Sequence, residues 1–246
     1  MGLILVFFLD IFSILEYNLT IDIHLISKEM EENKMKYVFI HGMSQKPSSW
    51  DQVISNLQEK ESFYILCPDW WSLLNGKEAT YENIYNSFVD YINNHNSEKI
   101  PLNLCGLSFG GVLALNYALD FPEKVNSLVL IGSLYEFSEK LVKSQNTMFK
   151  IMPTSAFKKM GLVKKDMITL NKSFIDLDFT QKLMNISCPT LILCGENDRK
   201  MFKEAANYLN ENIPNSQFAF IKDAGHNVNT ENPKELALKI DKFLKM

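Results

Sequence analysis

Short apolar runs of strand length recur along most of the chain, and segments with the apolar spacing of helices lie between them. Six such runs end at a Gly, Asp, Ser or His and predict buried strands. The predicted strands are residues 36–42, 63–69, 100–106, 125–133, 188–198 and 216–226. Apolar positions three and four residues apart predict helices at 48–61, 81–93, 110–119, 202–212 and 233–246. Continuous apolar strands that alternate with helices are typical of a parallel sheet covered on both faces, so we predict an α/β fold with a mostly parallel, doubly wound sheet.

The alternation of strands and helices stops between residues 134 and 185. This segment has few strand signals, many lysines, and several methionines and phenylalanines. We predict a short helical insertion here, above the strand ends, which divides the α/β core into residues 35–133 and 186–246. Met148 and Met152 are candidates for lining a substrate pocket, and the alternative is that they dock the insertion on the core.

The first 34 residues fit the α/β pattern least well. Residues 2–15 are apolar but short for a membrane span, and Asp10 interrupts them. Residues 19–26 largely alternate between apolar and polar positions, which indicates a strand. Our preferred interpretation is that residues 1–34 form one or two edge strands. The alternatives are a weak membrane anchor and a true translation start at Met35.

Composition and charge exclude several classes of function. The 246 residues carry a formal net charge of -4, which provides no basic surface for nucleic acid. The four cysteines lie in or beside apolar runs without a C-x-x-C pair, so we expect buried thiols, no metal site and a reducing, cytoplasmic location. We expect no membrane partner, although the apolar first residues leave that alternative open. Arg199 is the single arginine among 25 Lys and Arg residues, an asymmetry that we attribute to genome composition.

A serine stands between glycines in the stretch "NLCGLSFGGVLALNYAL", where an apolar strand gives way to a helix. Gly106, Ser108 and Gly110 match the pattern G-x-S-x-G. A sharp strand-to-helix turn holds such a serine in strained geometry, so the flanking positions must lack a Cβ. The helix that follows directs its free N–H groups towards the same place. We therefore predict Ser108 as an exposed nucleophile at the carboxyl edge of the sheet, and the alternative is a tight turn with a passive serine.

A serine hydroxyl is a weak nucleophile and needs a neighbouring base. The chain has four histidines as candidates. His24 lies in the N-terminal strand pattern, and His95 lies in the polar segment "NNHNS". His41 ends a predicted strand, where bracing of the following loop is the favoured role. His226 ends the last predicted strand and precedes a helix, so it is our candidate base.

An acidic side chain should orient that base and stabilise its charged form. The stretch "CGENDRK" offers Glu196 and Asp198 at the end of the preceding strand. Asp198 comes later in the turn and is our candidate, with Glu196 as the alternative. The order along the chain is then serine, acid, histidine.

Four motifs together, "FIHGM", "GLSFGG", "LCGENDRK" and "DAGHNVNTENP", resemble those of α/β-hydrolase-fold proteins. The resemblance runs from about residue 36 to the C-terminus. It is to the lidded group that includes small esterases, carbon–carbon bond hydrolases and acyl-lyases. It implies a lid over residues 134–185 and no metal or organic cofactor. The implied catalytic triad is Ser108, Asp198 and His226, and the implied oxyanion hole consists of the backbone N–H groups of Met43 and Phe109.

Two departures from the family pattern bear on the substrate. After the second strand the family often has an acidic, glycine-rich loop that contains Arg, whereas this chain has "CPDWWSLLNGKEA". Trp70 and Trp71 either wall an acyl pocket or cover the sheet edge. The lid segment contains no arginine, and its lysines would hold substrate carboxylates poorly, which weighs against an acyl-lyase.

These observations lead us to expect a serine hydrolase that cleaves small carboxylic esters or thioesters through an acyl-enzyme. Ser108 weighs against the epoxide-opening and halide-displacing members of the fold, because those use Asp as the nucleophile. The alternatives are a carbon–carbon bond hydrolase or acyl-lyase, and a non-catalytic receptor for a small ligand that retains the triad. The expected partner is a small-molecule ester or acyl substrate.

Overall fold

The computed structural model describes residues 35–58, 60–96, 100–159 and 162–245. The interpretations of residues 1–34, including the position of His24, lie outside the described residues. Within those ranges, no helix has both the length and the apolar character needed to cross a membrane. All four cysteines are free thiols; three of them are buried and Cys67 is half-buried.

Each predicted apolar run contributes one strand to a six-stranded sheet. The strands are β1 (Met35–Ile40), β2 (Phe63–Leu66), β3 (Leu102–Leu107), β4 (Val125–Ile131), β5 (Thr190–Gly195) and β6 (Ser216–Ile221). Their order in the sheet is β2-β1-β3-β4-β5-β6. The pairs β1–β3, β3–β4, β4–β5 and β5–β6 are all parallel. The predicted mostly parallel α/β fold is thus confirmed.

Helices cover both faces of the sheet. The α-helices are α1 (Asp51–Asn56), α2 (Tyr81–His95), α3 (Phe109–Asp120), α4 (Glu139–Ile151), α5 (Thr154–Lys159), α6 (Lys164–Lys172), α7 (Lys200–Asn212), α8 (Val228–Glu231) and α9 (Pro233–Leu244). Short 3₁₀ helices cover Pro47–Trp50, Lys60–Ser62, Ser72–Leu74, Pro122–Lys124 and Thr180–Asn185. Alternate residues of β1 point to opposite faces. Val38 and Ile40 pack with α2, α3 and α7, whereas Tyr37 and Phe39 pack with α1 and α9.

The first helix is shorter than the sequence pattern predicts. The prediction was 48–61, but α1 ends at Asn56 and Leu57 is extended, with φ -66° and ψ 139°. Residues 58–62, "QEKES", contain no apolar side chain, so a longer helix would have no face to bury there. Leu57 itself stays buried against the core.

The insertion between β4 and β5 contains α4, α5 and α6. Its two ends are joined by an isolated antiparallel bridge between Glu136 and Asp178. Next to that bridge, the Phe137 N–H donates to the Leu177 carbonyl and the Phe179 N–H donates to the Tyr135 carbonyl, both at 2.9 Å. The insertion therefore leaves the core and returns to it at one point.

The turn between β3 and α3 forces the backbone of Ser108 into a strained conformation. Ser108 has φ 53° and ψ -116°, in the region that favours glycine. Its N–H donates to the Ile131 carbonyl at 2.8 Å. A Cβ on Gly106 would lie 2.3 Å from the Gly110 carbonyl oxygen, and one on Gly110 would lie 2.1 Å from the Ile40 carbonyl oxygen. Glycine at both positions therefore lets α3 begin directly against the sheet, with Ser108 at its N-terminus.

Because the strain at Ser108 comes from a Cβ at positive φ, its removal should stabilise the fold. We expect Ser108→Gly to have a higher free energy of unfolding than Ser108→Ala, by about 1 kcal/mol, since the strain relieved exceeds the entropy cost of glycine. Both variants lack the hydroxyl, so their difference isolates the effect of the Cβ. Urea unfolding of the two variants measures it, and equal stability would show that the strain in the turn does not exceed the entropy cost of glycine.

Candidate active site

Three predicted side chains meet at the carboxyl edge of the sheet. Ser108 follows β3, Asp198 lies in the turn after β5, and His226 lies in the loop after β6. The Ser108 Oγ is 3.0 Å from the His226 Nε2, and the His226 Nδ1 is 2.9 Å from the Asp198 Oδ2. An ionised carboxylate only accepts, so Nδ1 carries the imidazole proton and Nε2 accepts from the serine hydroxyl. The imidazole is thereby oriented as a base towards Ser108.

The Asp198 carboxylate is almost fully buried and is held from several sides. Its side chain is 1% exposed, and its Oδ1 accepts the Arg199 backbone N–H at 2.7 Å. The Cys194 Sγ lies 3.8 Å from the Asp198 Oδ2. Burial, and then the charge of Asp198, raise the pKa of Cys194 to about 12, so the thiol keeps its proton and can donate it to the carboxylate. The alternative acid, Glu196, instead accepts the Asp223 backbone N–H at 3.4 Å.

The turn that carries Asp198 touches the loop that carries His226 through glycine backbone. A Cβ on Gly195 would lie 1.9 Å from the Gly225 carbonyl oxygen. Gly132, with φ 52°, lies beneath both functional groups, and a Cβ there would come within 3.3 Å of the Asp198 Oδ2 and of the His226 ring. Small residues at these positions allow the acid and the base to approach each other.

The loop around His226 is held by a single carboxylate. Glu231 accepts the backbone N–H of Gly225 through its Oε2 and the backbone N–H of Asn227, at 3.3 Å, through its Oε1. These two amides flank His226 on either side. The Phe202 ring stacks on the imidazole, with ring centroids 4.1 Å apart. Together these contacts fix the plane of the imidazole ring.

An amide network joins the loop after β1 to the segment after β6. The Gly42 N–H donates to the Gln45 Oε1 at 3.3 Å, and the Gln45 Nε2 donates to the Asn229 Oδ1 at 2.9 Å. The fully buried Asn229 donates in return to the Gln45 Oε1 at 3.1 Å and to the Ser49 carbonyl at 3.2 Å. Sequence reasoning missed Gln45, Asn229 and Glu231. Each lies in a mainly polar segment of the sequence, and nothing local to each residue reveals its partner.

Met43 and Phe109, the residues whose backbone amides are predicted to form an oxyanion hole, both lie at the cavity that contains Ser108. Phe109 is the first residue of α3, where an N–H has no preceding helical turn to accept it. Met43 follows Gly42 at the end of β1, and both residues line the cavity at Ser108. The N-terminus of α3 adds a partial positive charge there. The arrangement suits an oxygen atom that carries negative charge.

An open cavity of about 150 Å³ begins at Ser108 and His226. Its walls are mainly apolar, with polar groups at a few points. The apolar lining residues are Met43, Leu107, Phe109, Val112, Leu134, Phe137, Phe174 and Phe202, and the polar ones include Gln45, Gln145, Asn227 and Arg199. Phe137, Gln145 and Phe174 come from the insertion, so the insertion forms part of the cavity wall.

The four residues predicted to contact substrate lie elsewhere. None of them belongs to the described residues that line the cavity. The Trp70 and Trp71 indoles donate to the His41 and Met43 carbonyls, at 3.1 and 3.3 Å, and so brace the loop after β1 from behind. Met148 is 51% exposed on the outer surface, and Met152 packs against the insertion's own small core. The polar end of each indole is satisfied by backbone, so both tryptophans support the cavity wall without lining it.

His41 braces the same loop, which is the role that the sequence favours for it. Its ring is fully buried, stacks on Trp70, and its Nδ1 lies 2.9 Å from the Gly42 carbonyl. Burial lowers the pKa of His41, an effect that the nearby Gly42 carbonyl and Asp69 partly oppose. A neutral ring of this kind stiffens the loop that presents the Met43 amide.

No group of three or more His, Cys, Asp or Glu side chains in the described ranges is arranged to hold a metal ion. The polar groups that converge at the cavity are the serine, the imidazole, the buried carboxylate and the backbone amides. Such a set is suited to nucleophilic attack on a carbonyl and stabilisation of the resulting oxyanion.

Comparison with known proteins agrees with this arrangement. A sequence profile of the alpha/beta hydrolase fold matches residues 38–168, more than half of the chain. A Bacillus subtilis (strain 168) protein, whose name assigns it provisionally as a 2-succinyl-6-hydroxy-2,4-cyclohexadiene-1-carboxylate synthase, is 22% identical over 84% of this chain and 89% of its own length. Human monoacylglycerol lipase ABHD6 is 23% identical over 86% of this chain and 76% of its own. A pimeloyl-[acyl-carrier protein] methyl ester esterase of Nitrosomonas europaea is 22% identical over 80% of this chain and 91% of its own.

Solved structures share the same architecture. An alpha/beta hydrolase enzyme from a sediment metagenome of the Mar Chica lagoon superimposes with a TM-score of 0.68 at 22% identity, and the match covers 87% of this chain and 91% of that one. The fold, the sequence profile and the relatives agree over most of the chain. The protein therefore belongs to the alpha/beta hydrolase fold family and is a hydrolase.

Proposed function

We propose that this hydrolase cleaves small carboxylic esters or thioesters through an acyl-enzyme on Ser108. The observation that carries the proposal is the continuous hydrogen-bond chain from the Ser108 Oγ through the His226 ring to the Asp198 carboxylate, at the mouth of a largely apolar cavity. The names of two relatives, a monoacylglycerol lipase and a methyl ester esterase, support an ester as the substrate class.

In the first half of the reaction, the Ser108 Oγ attacks the carbonyl carbon of the substrate. The hydroxyl proton passes to the His226 Nε2, and the carbonyl π electrons move onto oxygen. The Asp198 carboxylate accepts the Nδ1–H and stabilises the imidazolium, without taking the proton itself. The tetrahedral intermediate then collapses, the bond to the alkoxide or thiolate breaks, and His226 gives its proton to that leaving group.

Water completes the cycle by the same steps. His226 removes a proton from a water molecule, whose oxygen attacks the acyl carbon. Collapse of the second tetrahedral intermediate releases the carboxylic acid and returns the proton to the Ser108 Oγ. In both halves the backbone N–H groups of Met43 and Phe109 form the oxyanion hole. Donors of this kind contribute about 10²- to 10³-fold each to turnover in a comparable site.

The insertion over residues 134–185 acts in this proposal as a lid. It contributes Phe137, Gln145 and Phe174 to the cavity, so it limits the shape of the acyl or alcohol group that fits. Exclusion of water by these side chains strengthens the electrostatic interactions at Ser108. We further propose a cytoplasmic location, since all four cysteines are free thiols.

The first experiment labels the intact protein with a fluorophosphonate, which reports an activated serine without a guess about the substrate. We expect one adduct, mapped to Ser108, and none on Ser108→Ala. Labelling of His226→Ala should be slow because the base is missing. Turnover of a responsive ester should fall by about 10⁶-fold in Ser108→Ala, since the triad acts as a unit.

The same experiment separates the enzyme from its alternatives. A well-folded wild-type protein that takes no label would contradict the assignment of Ser108, His226 and Asp198. A protein that is labelled once but turns over no ester or thioester would favour a small-ligand receptor instead. Carbon–carbon bond cleavage is distinguished by its substrates, which are ketones rather than esters.

A second prediction concerns Glu231, which we propose as a positioning residue for His226. Glu231→Gln leaves only one oxygen to accept the Gly225 and Asn227 amides, so the loop should lose one of its two hydrogen bonds. We expect kcat and the labelling rate to fall by about 10-fold with KM nearly unchanged, because sub-ångström misplacement of a base is costly.

Glu235→Gln is the matched control for this variant. The Glu235 Oε2 also accepts a loop amide, that of Lys222 at 2.8 Å, without touching the residues beside His226. We expect Glu235→Gln to retain near-normal kcat. Equal losses of activity in the two variants, in proportion to lost stability, would show that Glu231 serves folding alone.

A further inference from the structure

Arg199 is the single arginine of the chain, and it lies at the cavity. Wherever else the chain carries a permanent positive side chain, it uses lysine. Of the described residues that line the cavity, Arg199 alone bears a permanent charge; the rest are apolar or neutral polar groups, together with His226. The one arginine thus lies in the place where a planar, charged donor would meet a substrate.

The guanidinium is held in place by its surroundings. Its central carbon lies 4.7 Å from the centroid of the Phe202 ring, an arrangement typical of a cation–π contact. Phe202 also stacks on the His226 imidazole, with ring centroids 4.1 Å apart. The Arg199 backbone N–H is fixed by the Asp198 Oδ1 at 2.7 Å. Arg199 is therefore linked to Asp198 through its main chain. Its side chain contacts Phe202, which in turn stacks on His226.

The Arg199 side chain has no carboxylate partner within the described part of the chain. The ion pairs there join other residues, and the neighbouring Lys200 pairs with Glu204 at 3.4 Å. Asp198, the nearest acid in sequence, directs its Oδ2 to His226. The N–H groups of the guanidinium consequently remain free to bind an anionic group from outside the protein.

We propose that Arg199 binds a carboxylate, or a similar planar anionic group, at one end of the substrate. The inference rests on the proposed function and narrows its substrate class to esters or thioesters with an apolar body and a negatively charged end. The apolar walls, which include Phe137, Phe174 and Val112, suit the body, and the guanidinium fork matches the two oxygens of a carboxylate. Lysine would supply the charge without that fork or the stacking on Phe202.

The anionic end can belong to the acyl group or to the leaving group, and two pairs of esters distinguish these sources. The acyl pair is 4-nitrophenyl hydrogen adipate against 4-nitrophenyl hexanoate. The leaving-group pair is 4-acetoxybenzoate against phenyl acetate. Adipate is chosen because its carboxylate is too distant to attack its own ester efficiently. Rates without enzyme are subtracted in every case.

For wild type we expect kcat/KM to favour the anionic member of one pair by about 10-fold, a magnitude reduced by the solvent exposure of Arg199. Arg199→Gln should abolish that preference, so that the ratio of kcat/KM between the anionic and the neutral member of the pair falls to about one. Arg199→Lys should retain part of it. Lys200→Gln, which removes a neighbouring charge outside the cavity lining, should retain all of it.

The outcomes separate the two proposals. If wild type hydrolyses the esters but prefers the anionic member in neither pair, the role of Arg199 is overturned while ester hydrolysis stands. The same holds if Arg199→Gln leaves the anionic preference intact. If Arg199→Gln and Lys200→Gln lower the anionic preference equally, the preference comes from general surface charge. That outcome would also overturn the role of Arg199. No turnover of any of the four esters by wild type would contradict ester hydrolysis itself, and the anionic preference with it.

Discussion

Close contact between backbone segments at the carboxyl edge of the sheet is the constraint on which the site depends. Ser108 can stand above the sheet only because α3 starts directly against β1, and a Cβ on Gly110 would intrude on the Ile40 carbonyl. The acid and the base can meet only because β5 ends in Gly195, which touches the backbone of Gly225. Side chains at these contacts would separate the strand ends by more than a hydrogen bond tolerates. The geometry of the three functional groups is therefore set by the main chain.

Polar side chains, of which Asn229 is fully buried, then hold the loops that follow the strands. Gln45 and Asn229 exchange hydrogen bonds between the loop after β1 and the loop after β6, and Glu231 receives the amides on both sides of His226. Asn229 is fully buried, and a buried polar group without a partner costs about 1–3 kcal/mol. Loss of Gln45 would leave the Asn229 Oδ1 without its donor, so this pair favours a single arrangement of both loops.

The architecture and the three central side chains follow from local sequence pattern. Each apolar run predicted one strand, and the end of a parallel strand is where polar residues of a site collect. The expectations that differ from the structure depended on how distant segments pack. Trp70 and Trp71 were candidates for walling an acyl pocket, with cover of the sheet edge as the alternative, but their indoles donate to carbonyls of the loop after β1. Composition alone gave Arg199 no role; its position beside Phe202 and the cavity became visible only in three dimensions.

Pairing between remote residues is likewise absent from local pattern. Gln45 and Asn229 are 184 positions apart, and neither lies on a periodic face that would mark it. The helix after β1 illustrates the opposite case, since its early end at Asn56 can be understood from the polar residues that follow. Sequence periodicity thus describes elements well, whereas it carries little information about the contacts between loops that orient a functional group.

The antiparallel bridge at Glu136 and Asp178 makes the insertion a closed side branch of the chain. Because the branch departs and returns at one point, its length barely affects the sheet, and a doubling of such a loop costs only about 0.6 kcal/mol in closure entropy. The branch still packs on the core, because Val142, Leu170 and Phe174 belong to the hydrophobic cluster that includes the sheet. Changes at its other positions can accumulate in a lineage while the reactive groups are inherited unchanged. Selection can therefore change the cavity wall separately from the residues that carry out the reaction.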